Sequence, residues 1–219
     1  MPAIHVMMKP ASGLCNMRCQ YCFYADEMEK RSQASYGIMS FATLENVIRR
    51  TLEFAEGSCT IAFQGGEPTL AGLDFFRECI RLEQKYNTKN VTISHALQTN
   101  GYALNEEWCQ FFAKNHFLIG LSVDGIKATH DLYRKDAVGK DTYFRVLESA
   151  KLLEAAGVEF NVLMVVNGIL HLKTLWRKYM KISGSWDFRG SSISPVSTPS
   201  ASGRGRRNIL FPRRCTEGF

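Results

Sequence analysis

Short apolar runs alternate with longer amphipathic stretches along this chain, and that alternation limits the possible folds more than any other feature. His5–Met8, Cys59–Phe63, Val91–Leu97, Phe117–Leu121 and Val158–Val166 read as strands. Between them lie stretches with helical spacing: Phe41–Phe54, Leu73–Tyr86, Asn105–Lys114 and Thr142–Ala156. In the first of these, Phe41, Leu44, Val47, Ile48 and Leu52 fall on one stripe, and Ser40 stands where an N-cap belongs. Gly157 stands where the last helix should stop. Strand and helix in turn give about five βα units and a mostly parallel sheet, an α/β fold.

Parallel sheets of this kind bind ligands at the C-terminal ends of their strands. Polar residues and glycines gather at those ends here: Gln64 to Glu67, Gln98 to Asn100, Ser122 to Asp124, and Asn167. A turn alone explains any one of these clusters. Their recurrence at strand after strand exceeds what turns require.

The grammar stops near residue 182. A helix over Leu170–Ile182 should lead to a sixth strand, but no convincing one follows. Residues 183–219 contain 8 Ser, 5 Gly, 3 Pro and 6 Arg, and neither the period of a strand nor that of a helix survives. This is the composition of a disordered tail. It also carries the basic charge. Residues 1–170 hold 17 Lys and Arg against 19 Asp and Glu, while residues 171–219 hold 10 against 2. The net charge of +6 therefore describes the tail and not the organised part. A nucleic-acid partner is not expected, because no basic patch interleaved with aromatics appears in the organised part.

No apolar run approaches the ~18 residues of a membrane span. No charged segment precedes the short apolar N-terminus, so a secretory leader is not expected. A cytoplasmic protein without a membrane partner is the expectation. Seven cysteines, an odd number, in such a protein do not suggest a disulfide framework. Cys59, Cys79 and Cys109 read as small core residues, and Cys215 lies in the tail.

Cys15, Cys19 and Cys22 are different. They form C-x3-C-x2-C in a loop after the first strand. A structural zinc site would need a fourth ligand, usually from a second pair, and the histidines are isolated. Three thiolates suit a four-iron cluster that leaves one iron free for a small-molecule ligand. With Tyr21 beside the last cysteine, and with Gly65-Gly66-Glu67-Pro68 after the second strand, the pattern resembles the radical S-adenosylmethionine superfamily. In isolation the second motif is only a turn. The longer segments KPASGLCNMRCQYCFY, YGIMS, FQGGEPTLAGLDFF, LQTNGYALNEEW and GLSVDGIKATHDLYRKDAVGKDTY resemble the anaerobic sulfatase-maturating enzymes, over about residues 4 to 180.

The resemblance implies a partial (β/α)6 barrel over residues 1–182, with 183–219 disordered or foreign to the family. It implies a [4Fe-4S] cluster on Cys15, Cys19 and Cys22. It also implies S-adenosyl-L-methionine contacted by Tyr21, Gly66, Ser122 and Arg134, the last two facing the methionine carboxylate. Glu67 and nearby carbonyls are expected to accept from an ammonium group. Tyr24, Gln64, Gln98 and Asn100 are candidates for peptide or nucleoside contact, and Asp124 is either a turn residue or a ribose ligand. The implied reaction uses a 5′-deoxyadenosyl radical to oxidise a Cys or Ser side chain of a sulfatase to Cα-formylglycine. A low-potential donor such as flavodoxin or ferredoxin would supply the electron. The catalytic Asp base of the family, and the Cys-rich region holding its two auxiliary clusters, have no counterpart in this sequence. The abrupt tail suggests a shifted reading frame. Two alternatives remain: another radical peptide-modifying enzyme, and an inactive iron–sulfur-binding fragment.

Overall fold

The computed structural model describes residues 3–165 and the backbone of Ile193–Pro195. The expected helix at Leu170–Ile182, Asn167, Cys215 and most of the tail lie outside the described residues. The strands are β1 (Ile4–Met8), β2 (Met17–Cys19), β3 (Ser58–Phe63), β4 (Thr92–Thr99), β5 (Phe117–Ser122), β6 (Arg134–Asp136), β7 (Phe160–Met164) and β8 (Ile193–Pro195). The helices are α1 (Phe23–Lys30), α2 (Phe41–Phe54), α3 (Leu73–Tyr86), α4 (Glu106–Lys114), α5 (Lys127–Tyr133) and α6 (Tyr143–Ala155).

The main sheet runs β1-β3-β4-β5-β7-β8 with every neighbouring pair parallel. The five strands read from the sequence are its first five. The sixth is the three-residue β8, which pairs Ile193, Ser194 and Pro195 with Val162, Leu163 and Met164. Its position corrects the reading of no sixth strand. Proline donates no hydrogen bond, so its place in the terminal strand of the sheet is the tolerated one.

Alternation divides each strand between two faces. One face carries Ile61, Phe63, Leu97, Phe117, Ile119, Leu121, Phe160 and Val162, all buried. Onto it pack Leu44, Ile48 and Leu52 of α2, Phe75, Phe76 and Leu82 of α3, Trp108 and Phe112 of α4, and Val146 and Leu153 of α6. Burying each such side chain contributes about 1.5–3 kcal/mol. Phe63, Phe76, Phe112 and Phe117 meet edge-on, tilted or stacked, with centroids 5.0 to 6.2 Å apart. Cys59, Cys79 and Cys109 belong to this core, as expected. Ser40 caps α2 by accepting from Thr43 N, and Asn105 caps α4 by accepting from Trp108 N. Gly157, at φ +69°, stands just beyond the end of α6. Phe41 departs from its expected stripe: its side chain is largely exposed, although its ring lies over Phe75.

The opposite face carries smaller residues. Ala62, Ala96 and Gly120, with Gln64, Gln98, Leu118, Asn161 and Leu163, line a cavity of about 220 Å³ there. A second, two-stranded ladder pairs β2 with β6 antiparallel, setting Cys19 opposite Arg134 and Met17 opposite Asp136. That ladder ties the cysteine loop to the segment after β5.

Candidate cofactor site

The three cysteines stand on consecutive small elements. Cys15 lies in the loop after β1, Cys19 ends β2, and Cys22 caps α1 in an extended conformation. All three are free thiols and half-buried. Cys22 N donates to Cys19 O at 3.0 Å, a turn that draws the last two together. Each thiol acts electrostatically on Cys15. Met17 N and Asn100 Nδ2 donate to Cys15 Sγ at 3.4 and 3.5 Å. Burial nonetheless pushes the Cys15 thiol up to about 11. Burial also raises Cys19, against the pull of the Arg134 guanidinium, which hydrogen-bonds that sulfur. Both thiols therefore rest neutral, and binding a metal there would release their protons. Among the described residues, no three His, Cys, Asp or Glu side chains converge as on a single ion. An iron–sulfur cluster takes Cys thiolates, each sulfur on a different iron, and three free cysteines stand within eight residues here. The donor set therefore fits an iron–sulfur cluster.

Gly65 and Gly66 both have positive φ, +115° and +55°. At Gly66 a Cβ would meet Leu14 O at 2.2 Å. The missing Cβ lets the backbone approach the cysteine loop closely, and Glu67 N donates to the same Leu14 O at 2.8 Å. The second motif seats the first.

Glu67 is not available to an ammonium group, contrary to expectation. It is 1% exposed and accepts four hydrogen bonds: from Thr69 N, Thr69 Oγ1 and Thr99 Oγ1 at 3.1, 2.7 and 2.7 Å, and from Asn100 N at 2.8 Å. Its carboxylate joins the turn after β3 to the end of β4. Burial raises its pKa, and the four donors oppose that rise. Asn100 then reaches the cysteine loop, donating to Asn16 Oδ1 at 2.8 Å as well as to Cys15.

Asp124 is neither a turn residue nor free for a ribose. Its carboxylate is 1% exposed and takes Arg134 Nε and Nη2 at 2.9 and 3.3 Å, Val165 N at 3.0 Å, and the Tyr21 hydroxyl. The Arg134 guanidinium sits 5.4 Å from the Tyr21 ring centroid. Burial alone would lower the Arg134 pKa, but Asp124, Tyr21 and Cys19 hold it above its ordinary value. Tyr21 and Arg134 are therefore brought together beside Cys19, and Asp124 is their common anchor. Sequence reasoning missed that anchor because its partners lie far along the chain.

His130 was also missed. It is fully buried, accepts from Asp124 N through Nδ1 at 3.2 Å, and so carries its proton on Nε2, 3.0 Å from Thr142 Oγ1. Thr142 Oγ1 donates in turn to Arg134 O at 2.8 Å. Burial, then the Arg134 charge, lowers the His130 pKa to about 4. No sequence signal distinguishes this lone histidine from any other.

Ser122 ends β5 on the cavity face and accepts from Gln98 Nε2 at 2.9 Å. Tyr24, in α1, hydrogen-bonds Gln64, and Lys9 lies 5.2 Å from the Tyr24 ring centroid. The candidates of the sequence thus gather at the C-terminal mouth of the sheet.

A model of the radical SAM superfamily matches residues 10–172. A cysteine-type anaerobic sulfatase-maturating enzyme from Clostridium novyi (strain NT) is 42% identical over 201 residues, covering 91% of this chain and 53% of that protein. Another, from Clostridium perfringens (strain ATCC 13124), is 47% identical over 220 residues, covering 99% of this chain and 58% of that protein. A solved structure described as native anSMEcpe with bound AdoMet and Cp18Cys peptide is 41% identical, with a TM-score of 0.83, covering 95% of this chain and 55% of that one. The chain spans about half the length of the curated relatives it matches.

Proposed function

From its membership of the radical SAM superfamily, which the matched model shows, we propose that this chain is the cofactor-binding part of a sulfatase-maturating oxidoreductase. Its substrate is a Cys side chain of a sulfatase, or a Ser in its place, converted to Cα-formylglycine. The relatives at 42 and 47% identity are cysteine-type, which favours Cys. The observation that carries the reading is a set of three free thiols on the segment after β1, with Tyr21 and Arg134 tied to Asp124 beside Cys19.

Cys15, Cys19 and Cys22 would hold a [4Fe-4S] cluster, and the mouth beside them would take S-adenosyl-L-methionine. Together these groups supply one-electron cleavage of the sulfonium and removal of a hydrogen atom from the substrate Cβ. The chain's own residues orient and shield. Asp124 holds Arg134 through Nε and Nη2, and this anchor fixes the guanidinium beside Cys19, where it would meet the methionine carboxylate. Ser122 offers a hydroxyl to the same group. Gly66 and Glu67 fix the height of the cysteine loop over the sheet. The cavity-facing Ala62 and Ala96 leave room for a side chain to enter.

Conversion of a Cys side chain to an aldehyde is an oxidation, so the second electron must leave through an acceptor. Among the described residues we assign neither that acceptor nor the proton-accepting base. The incoming electron would come from a low-potential carrier such as flavodoxin or ferredoxin. Six free cysteines among the described residues fit the reducing cytoplasm. No helix among the described residues is long and apolar enough to cross a membrane.

The test is anaerobic. The iron- and sulfide-loaded chain is reduced with dithionite and given S-adenosylmethionine with a sulfatase-derived Cys or Ser peptide. Release of 5′-deoxyadenosine together with the mass loss of aldehyde formation is the expected result for the complete reaction. Deoxyadenosine without peptide change would restrict the chain to the cofactor half-reaction. Absence of both, with the cluster bound, would overturn the reading.

A further inference from the structure

The hydrogen bond between Gln98 and Ser122 has a polarity. Gln98 Nε2 is the donor and Ser122 Oγ the acceptor, at 2.9 Å. A serine hydroxyl has one hydrogen to give. With a lone pair occupied by Gln98, that hydrogen is turned away from β4. Among the described residues the hydroxyl makes this one side-chain hydrogen bond.

The arrangement depends on the residue between them. Gln98 stands opposite Gly120 in the β4–β5 register. A Cβ on Gly120 would lie 2.3 Å from Gln98 Oε1 and 2.8 Å from Leu163 Cδ1. Gly120 has no positive φ, so backbone conformation does not demand a glycine there. What demands it is the carboxamide lying across β5 to reach Ser122.

We propose that Gln98 is a positioning residue: by donating to Ser122 it aims the Ser122 hydroxyl hydrogen at the methionine carboxylate, and Gly120 provides the space that lets it do so. The inference rests on the reading of Ser122 as a carboxylate contact. Gln98 touches neither the cluster nor the reacting atoms in this role. It fixes which end of the Ser122 hydroxyl faces the ligand.

The test is equilibrium binding of S-adenosylmethionine to the oxidised, cluster-loaded chain, where no cleavage occurs. Ser122→Ala should weaken binding by about tenfold or more, the loss of one hydrogen bond to a charged group. Gln98→Leu frees the hydroxyl to rotate and should weaken binding by several-fold. Gln98→Glu is isosteric but only accepts, so Ser122 must donate to it and present a lone pair to the carboxylate. It should weaken binding more than Gln98→Leu. In a Ser122→Ala background, neither Gln98 substitution should lower affinity further.

An equal loss with Gln98→Glu in both backgrounds would mean direct contact or charge repulsion, and would overturn the proposal. So would unchanged binding by both Gln98 variants while Ser122→Ala binds weakly. Unchanged binding by Ser122→Ala would instead show that the carboxylate reading of Ser122 is wrong, and the Gln98 role would fall with it. Iron content, measured for each variant, separates these results from loss of the cluster. Gly120→Ala gives an independent check and should reproduce Gln98→Leu.

Discussion

Asp124 and Arg134 form a buried ion pair in which both carboxylate oxygens take one edge of the guanidinium, Nε at 2.9 Å and Nη2 at 3.3 Å. A pair of this kind contributes little net stability by forming, because both charges leave water, but removing one partner strands the other. Asp124→Asn should therefore destabilise the chain by about 3–5 kcal/mol. Denaturant unfolding of the metal-free chain measures it. A loss below ~1 kcal/mol, the range of an exposed pair, would show that the two residues are not a structural tie.

Gly66→Ala should be far more damaging than the same change at Gly139. Both have positive φ, +55° and +87°. Only Gly66 has a backbone oxygen 2.2 Å from the added Cβ, while Gly139 has nothing within 4 Å. Backbone strain alone costs about 1–3 kcal/mol, and the displaced Leu14 carbonyl adds to it at Gly66. The iron retained after anaerobic loading should fall for Gly66→Ala and stay unchanged for Gly139→Ala. Equal retention would show that the cysteine loop does not depend on the turn beneath it.

Substituting Cys15, Cys19 or Cys22 singly with Ser should abolish stable iron and sulfide retention, because each thiolate is expected to hold a separate iron. Cys109→Ala should keep the full complement, since that thiol is buried in the apolar core. Iron and sulfide assays after gel filtration decide it. Retention by all three Ser variants would remove the cluster from the site.

His130 should make stability depend on pH in a defined direction. Its pKa is lowered to about 4 by burial and by Arg134, against the ordinary 6.5. Asp124 and Asp131 oppose the shift, and Tyr143 and Thr142 pack against the ring. Between pH 6.5 and 4 the unfolded chain binds the extra proton, so the His130 contribution falls as pH falls through that window. The slope approaches roughly 1.4 kcal/mol per pH unit at its steepest. Buried Glu67 acts in the opposite sense, because its pKa is raised. The difference in unfolding free energy between the native chain and His130→Gln isolates the histidine. A pH-independent difference would show that His130 is not buried neutral.

The parts of the fold visible in the sequence are those with a period long enough to see. α2, with three fully buried positions on one stripe and a serine cap, announces itself, as do β3 and β5. β2 and β6 do not, because three residues each cannot show alternation. α1 buries no residue at all, so it has no apolar stripe to read. In the site, the cysteines were legible because their spacing is local. Glu67 was misread because its donors at Thr99 and Asn100 come from another strand. Asp124 is ambiguous in the sequence for the same reason: its three carboxylate partners, Tyr21, Arg134 and Val165, lie elsewhere in the chain, and the residue has no spacing that reveals them.

The short β2–β6 ladder also bears on the order in which the protein assembles. The three thiols are close in sequence, but what seats them is not: Tyr21 meets Asp124 across 103 positions, and Asn100 meets Cys15 across 85. Contacts of such separation form late, after the intervening chain has been ordered. A nascent chain therefore displays its cysteine loop long before anything fixes that loop's shape. Iron delivered at that stage would meet mobile thiols, and iron delivered after β6 has paired would meet a finished seat. The seat of the three thiols is thus complete only once the sheet has formed.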